Sequence, residues 1–347
     1  MSCQPAKQSA QIRGWTAAMA SVITAIALPV LALLNILLFS ADVSAQASNW
    51  PTKPVRWINP FPAGGGTDVF ARPMAGKIGV ALGQTIIIEN MGGAAGTLGA
   101  AAAARAEADG YTFFVGAIHH TIAESLYVNK PYKLEQAFVP ITVFAYVPHV
   151  LVVHPKLGFK TVDDLVKYAK ANPGKLNFGS AGSGASHHVA GELFKKLAGI
   201  DMVHVPYKGV GPMMQDLLGG QVDLAFDTLS SSSPQIRGGK LVALGVTSAQ
   251  RSPAFPDVPT MIQSGYKTFD MTTWYALWGI KGTPQPILDR MHVEAVKALN
   301  DPETQKLWAM QGATVGAQSP KEFSAFISSE ITKWGKVVKD SNIKIDN

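Results

Sequence analysis

The 347-residue chain carries 30 basic and 24 acidic side chains with no Lys/Arg block, a mild positive balance that favours a small acidic partner over nucleic acid. Its single cysteine, Cys3, excludes an intrachain disulfide and a thiolate metal cluster. The length exceeds one usual hydrophobic core and predicts two lobes.

Residues 1–47 read as a secretory leader. Lys7 and Arg13 precede an uncharged run from Gly14 to Ala41, and Ala45-Gln46-Ala47 supplies the small-x-small cleavage pattern. The run is long enough to span a bilayer, so an uncleaved anchor is the alternative. The cleavage pattern favours removal, a start near Ser48 and a periplasmic address. Cys3 lies ahead of the run rather than at its end, which argues against a lipoprotein anchor.

Next come short runs rich in β-branched and aromatic residues and bounded by Gly, Pro and Asn: VRWINPF (55–61), TIIIEN (85–90), YTFFVGA (111–117), FVPITVFA (138–145) and VPHVLVVHP (147–155). They read as buried strands. Helical stretches such as TDVFARPMAGKIGVAL and TLGAAAAARAEA alternate with them, so the fold class is α/β with mainly parallel sheets flanked by helices. The middle repeats the scheme. A helix capped by Thr161 leads to strand LNFGSA, helix SHHVAGELFKKLAG, strand MVHVPYK, helix GPMMQDLLGG and strand VDLAFDT. Ser230–Ser233 reads as a loop. Strands LVALGVTS and TWYALWGIKG follow, and then three helices, each with one apolar stripe.

Two glycine-rich turns stand out. In PFPAGGGTD, glycines 64–66 allow positive φ and close approach of backbone to a ligand, and Thr67 or Asp68 is expected to cap the following helix. Unpaired N–H groups and the helix dipole favour an anion there. GSAGSGASHH (179–188) follows another strand and opens another helix. One such turn per lobe points to a ligand held between them.

Other readings fail on spacing. G-x-G-x-x-G would start at Gly182 but meets His187 in place of its last glycine, and the Walker pattern is absent. Ala181-Gly182-Ser183-Gly184-Ala185 is a loose cousin of the hydrolase nucleophile elbow, which keeps a serine hydrolase using Ser183 as the alternative function. His119-His120 and His187-His188 invite a metal reading, but neighbours on a strand face opposite ways and H-E-x-x-H is missing. No metal or cofactor is expected. Carboxyl ends of strands line the crevice of an α/β lobe, which directs Tyr207, Lys208 and Asp227 toward it. A carboxylate capping the loop after the strand is an equal reading for Asp227.

PFPAGGGTDVFAR, IIIENMGGAAGTLGA, ADGYTFFVG, GSAGSGASHHVAGELF, HVPYKGVGPMMQDLLGGQVDLAFD, LVALGVTSAQRSPAFPDVPT and WYALWGIKGTP occur in that order. In these segments the chain resembles the Bug-type extracytoplasmic substrate-binding receptors of tripartite tricarboxylate transport systems. The resemblance implies a hinged, two-lobed periplasmic binding protein of type II, monomeric and without enzymatic activity, that delivers a small organic carboxylate to a membrane permease. It implies lobes of 48–147 plus 276–347 and of 148–275, crossed over by strands VPHVLVVHP and TTWYALWGI. The implied ligand loops are Phe61, Pro62, Ala63, Gly65, Gly66, Thr67 and Asp68 in the first, and Ser180, Ala181, Ser183, Gly184, Ala185 and His188 in the second, with Tyr207 and the cleft aspartate Asp227. Departures are Ala185 in place of a hydroxyl residue, Met91-Gly92 in place of Arg-Pro, and His119-His120 in place of small polar residues in a loop facing the cleft. Ser183 and Ser186 are the expected substitutes for the hydroxyl missing at Ala185, and His119 is expected at the ligand.

Overall fold

The run VRWIN, buried at four of five positions, forms the first strand of a computed structural model that describes residues 49–345. The expected leader and its cleavage point lie outside the described residues. From Pro51 onward the elements alternate: β1 (Val55–Asn59), α1 (Gly66–Leu82), β2 (Ile86–Asn90), α2 (Thr97–Ala104), β3 (Thr112–Ala117), α3 (Ile118–Leu126) and the one-turn α4 (Leu134–Ala137). β1 pairs in parallel with β2 and β3.

β4 (Phe138–Val153) is one 16-residue strand where the sequence pattern predicts two. Pro140 and Pro148 read as breaks because neither can donate to a ladder. Pro140 sits beside a register shift, and Pro148 pairs with Thr272 where β4 changes partners, so both occupy places where a missing N–H is tolerated. α5 (Val162–Ala171), β5 (Asn177–Ser180), α6 (Ser186–Ala198), β6 (Val203–Pro206), α7 (Val210–Leu218) and β7 (Leu224–Thr228) form the second alternating block, with β5 parallel to both β6 and β7. α8 (Leu229–Arg237) then takes in the serines expected in a loop. The hydroxyls of Ser231 and Ser232 donate to Asp227, and that of Ser233 donates to the Leu229 carbonyl. Asp227 thus draws two of the hydroxyls onto a side chain, while Ser233 back-bonds within the helix to the carbonyl four residues before it.

β8 (Val242–Val246), β9 (Thr272–Ile280), α9 (Gln285–Asn300), α10 (Pro302–Met310), the short β10 (Thr314–Val315) and α11 (Pro320–Asp340) complete the chain. β9 is antiparallel to β3 and to the first part of β4, and His149–Val153 of β4 is antiparallel to β7 and β8. The strand order is β2-β1-β3-β9-β4-β7-β5-β6. Parallel strands therefore lie on the outside of each half, and the antiparallel return strands β9 and β4 join the two halves. This is the two-lobed α/β arrangement expected.

The terminal helix explains its own packing. Ser319 and Glu322 form a capping box, and Phe323, Ile327, Trp334 and Val338 recur at helical spacing on its buried side. Phe323 lies 5.8 Å from the Trp274 ring and 4.9 Å from that of Trp278, and the indoles of Trp274 and Trp334 both donate to Glu330 Oε2. Truncating one such buried aromatic costs about 3–5 kcal/mol. Among the described residues no helix is long and apolar enough to cross a membrane.

Candidate functional site

The first loop joins β1 to α1. Gly64 has φ +79°, and Gly65, in extended backbone, is the residue before the helix. Thr67 and Asp68 therefore do not cap α1, as the sequence reading expected. They already lie inside its first turn. Gly66 opens the helix, and a Cβ there would collide with the Tyr275 hydroxyl, so close approach demands glycine at this position. Asp68 turns away from the cleft and accepts from Gly64 N at 2.9 Å, Arg72 Nε at 2.7 Å and the amides of Asn59 and Asn90. Burial by itself would raise this carboxyl. The Arg72, Gly64 and Asn90 donors outweigh it and hold Asp68 below the usual carboxylate range. Thr67 Oγ1 is buried without a hydrogen-bond partner among the described residues.

The second loop joins β5 to α6. Gly182 and Gly184 have φ of +133° and +82°, and Ala185 is the residue before the helix. Imidazoles brace this loop. Ser180 Oγ lies 2.6 Å from His204 Nε2 and accepts from Gly182 N, while His188 Nδ1 accepts from Gly184 N at 3.0 Å. The His188 and His204 rings stack with centroids 3.9 Å apart. Behind the loop, Ser186 Oγ lies 3.0 Å from His149 Nε2. Burial, with His188 beside it, pushes His204 down to about 3, and burial with His187 beside it does the same to His149. Both rings are neutral near neutrality.

His119 and His120 sit in the first turn of α3, not in a loop or strand as expected. The His120 ring braces the helix start, because the N–H of Ala117, the residue before the helix, donates to His120 Nδ1 at 3.0 Å. Burial, opposed by the nearby backbone of Ala117 and Gly96, lowers His120 to about 4. The His119 ring meets Phe61 edge-on at 4.5 Å. Burial first, then the imidazoles of His120, His187 and His149, hold His119 well below its usual value.

Phe61, Pro62, Gly65, Gly66, Thr67, His119 and Ala181 come together around a small chamber of about 20 Å³. His187, Tyr275 and the start of α7 complete its wall. The chamber shares Phe61, Pro62, Ala181 and Gly209 with an adjoining groove of about 830 Å³, which Ser183 and Tyr207 also line. Of the other expected residues, Ala63, Asp68, Ser180, Gly184, Ala185 and His188 line neither space, and several of them hold the loops in shape. The Tyr207 hydroxyl donates to Asp216 at 2.6 Å rather than pointing to the cleft. Asp227, expected at the cleft, is fully buried behind His187, with Oδ1 3.2 Å from His187 Nε2 but not aligned for a hydrogen bond. Burial would raise its carboxyl, and the His187 imidazole with the Ser231 and Ser232 hydroxyls brings it below the usual range.

The sequence reading missed His187 and Tyr275. The signal for His187 was present. Two histidines in the first turn of a helix that opens at a glycine turn put one ring toward the cleft and one toward the supporting strands. Tyr275 carried no signal, because only the fold brings β9 against α1. As for the hydrolase alternative, no imidazole or carboxylate is hydrogen-bonded to the Ser183 side chain among the described residues, and the Ser183 carbonyl accepts from the Tyr127 hydroxyl at 2.8 Å. Nor do three or more His, Cys, Asp or Glu side chains gather there in a metal-holding group.

Known proteins carry the same architecture. The family of tripartite tricarboxylate transporter receptors matches residues 70–343. Protein BugT of Bordetella pertussis (strain Tohama I) is 36% identical over 319 residues, covering 91% of this chain and 98% of that protein. The structure of periplasmic binding protein BugD superposes with a TM-score of 0.82 at 36% identity, over 86% of this chain and all of that one. Rpa4515 of R. palustris, solved with adipate, gives 0.83 at 33% identity over the same shares.

Proposed function

The chain belongs to the tripartite tricarboxylate transporter receptor family, and from this premise we propose that it is an exported receptor that closes on a small organic carboxylate and passes it to a separate integral-membrane permease. The observation that carries the reading is the meeting of two helix starts at one chamber: Gly66 and Thr67 open α1, and His187 is the second residue of α6. The first N–H groups of a helix have no partner within it, and the dipole adds positive potential at that end. A carboxylate leaving water needs its lost hydrogen bonds replaced, and two such ends supply donors without a fixed cation. The adipate held by the relative Rpa4515 supports a carboxylate as ligand.

Under this reading the lobes are 48–147 with 276–347 and 148–275, and β4 and β9 are the crossovers. The change of partners at Pro148 supports a hinge there. Residues 1–47 act as a cleaved leader that sends a monomer to the periplasm. The protein binds and does not turn over its ligand, in keeping with the unactivated Ser183. A carboxylate at 100 times its dissociation constant should add about 2.7 kcal/mol of folding stability. A thermal-shift series with aliphatic, aromatic and amino carboxylates therefore tests the reading. One saturable stabiliser with no product released supports it, and silence throughout, in a protein that melts cooperatively, removes it.

A further inference from the structure

We propose that His119 and His187 form a subsite for a hydroxyl group, so that the ligand is a hydroxy acid, its carboxylate held at the helix starts and its hydroxyl in the inner chamber. The inference rests on the carboxylate reading above and narrows it to one substrate class.

Both imidazoles are almost wholly buried, with 5% of His119 and 3% of His187 exposed, and both line the chamber. All four ring nitrogens lack an aligned hydrogen-bond partner among the described residues. His187 Nε2 has the Asp227 carboxylate 3.2 Å away, and buried polar atoms in folded proteins are paired with few exceptions, so the other three orphans call for a polar occupant. Thr67, whose Oγ1 is also unpartnered, lines the same space.

Size and charge select that occupant. The chamber is far smaller than the groove it opens from, so a carboxylate at the helix starts leaves room for only a small polar group beside the two imidazoles. A neutral imidazole offers one N–H and one lone pair. His119 is held neutral by burial first and then by the imidazoles beside it. On the far side of His187 the Asp227 carboxylate lies 3.2 Å from Nε2, which leaves Nδ1 as the ring nitrogen open to the chamber. A hydroxyl both donates and accepts, which suits this pair. A second carboxylate can only accept, and it would bring another negative charge close to Asp227 where the chamber supplies no fixed cation. An alkyl group leaves every nitrogen unpaired. Because the chamber shares Phe61, Pro62, Ala181 and Gly209 with the groove, the hydroxyl sits a few bonds from the carboxylate, and the groove holds the rest of the ligand.

Two matched triplets test this by calorimetry on the purified protein: 3-hydroxybutanoate, butanoate and methylsuccinate, then 3-hydroxybenzoate, benzoate and isophthalate. Within at least one triplet the hydroxy acid should bind about 10- to 100-fold more tightly than both companions, since a site built to pair a hydroxyl penalises analogues that lack it. His119→Phe should collapse that ratio toward one, and His119→Asn, which keeps a donor and an acceptor, should restore part of it. The wild-type ratios need no variant, so a poorly folded His119→Phe leaves the test intact. Equal or tighter binding of the parent acid or the dicarboxylate in both triplets overturns the hydroxyl subsite while leaving the carboxylate receptor standing. So does a hydroxyl preference that survives in folded His119→Phe. No binding by any of the six acids overturns the carboxylate reading and the subsite with it.

Discussion

Around the first loop the buried brace is a carboxylate: Asp68 gathers Gly64, Arg72, Asn59 and Asn90. Around the second it is imidazole, with His204 on Ser180, His188 on Gly184 and His149 on Ser186. Both loops deliver a helix start to the same chamber, yet one is fixed by a charged acceptor and the other by neutral rings. Equivalent donor geometry can thus be held by groups that titrate in different ranges. The loops also use glycine differently. In the second loop Gly182 and Gly184 supply positive φ, whereas in the first only Gly64 does, and Gly66 is needed because Tyr275 stands where its side chain would be.

The largest effect should come from breaking that last difference. The Tyr275 ring is buried and stacks on Phe70 at 5.1 Å, so it has little freedom to retreat. Gly66→Ala should destabilise the fold by about 1–3 kcal/mol through overpacking. It should also weaken carboxylate binding more than tenfold by displacing the start of α1. Gly184→Ala imposes a left-handed alanine, a strain of about 1–2 kcal/mol, and meets the Tyr127 ring at 3.0 Å and the ends of the Leu126 and Ile345 side chains at 3.3 and 3.5 Å. Calorimetric titration and thermal melts of both variants rank them. If Gly184→Ala proves the more harmful to binding, the close approach at Gly66 is not what holds the site.

Acidification separates the braces without any mutation. His149 titrates near 3 in the folded protein and near 6.5 when unfolded, so below pH 6.5 the unfolded chain binds more protons and stability falls as pH drops. At pH 5 this amounts to about 2 kcal/mol. Asp68 loses stability in the same direction but in a lower pH range. Its folded value is below the ordinary carboxylate value, so its contribution is fully present above pH 4 and is lost only as pH falls through the folded value. Between pH 7 and 5, amide hydrogen exchange should therefore speed up in α6 more than in α1 once intrinsic rates are corrected. Equal losses in the two helices would show that the imidazoles are not the brace of the second loop.

Much of this was legible in the chain. Glycine turns between an apolar run and a helical stretch gave the positions of both loops, since few other residue types fit a strand-to-helix turn at a ligand. The order of strands and helices followed from short β-rich runs with Gly, Pro and Asn between them. What stayed hidden depended on distant partners. Pro148 reads as a break until β9 gives way to β7 and β8 beside it. Four successive serines read as a loop until Asp227 takes two of their hydroxyls. Asp227 read equally as a cleft group and as a carboxylate capping the segment after its strand, and here it accepts from the Ser231 and Ser232 hydroxyls of that segment with His187 on its other side. The pairing of His119 with His187 joins residues 68 positions apart through α3 and α6, and no local pattern encodes it.

The smallest effect concerns how the two halves meet. Tyr127, at the end of α3, donates its hydroxyl to the Ser183 carbonyl in the second loop, a bond between segments 56 residues apart that lies beside the groove. Tyr127→Phe keeps the ring and removes only the donor, leaving a carbonyl that water can reach. One neutral hydrogen bond has a net worth of about 0.5–1.5 kcal/mol. If the lobes move apart when ligand leaves, this bond exists only when they are together, and its loss falls on the closed form rather than on the fold. Ligand dissociation should then quicken by about 2- to 10-fold while association and the melting temperature of the ligand-free protein stay nearly constant. Stopped-flow binding with a parallel melt distinguishes the cases. A fall in melting temperature with no change in dissociation rate would make Tyr127 a brace of the second loop, in the same class as His188, and not a latch between lobes.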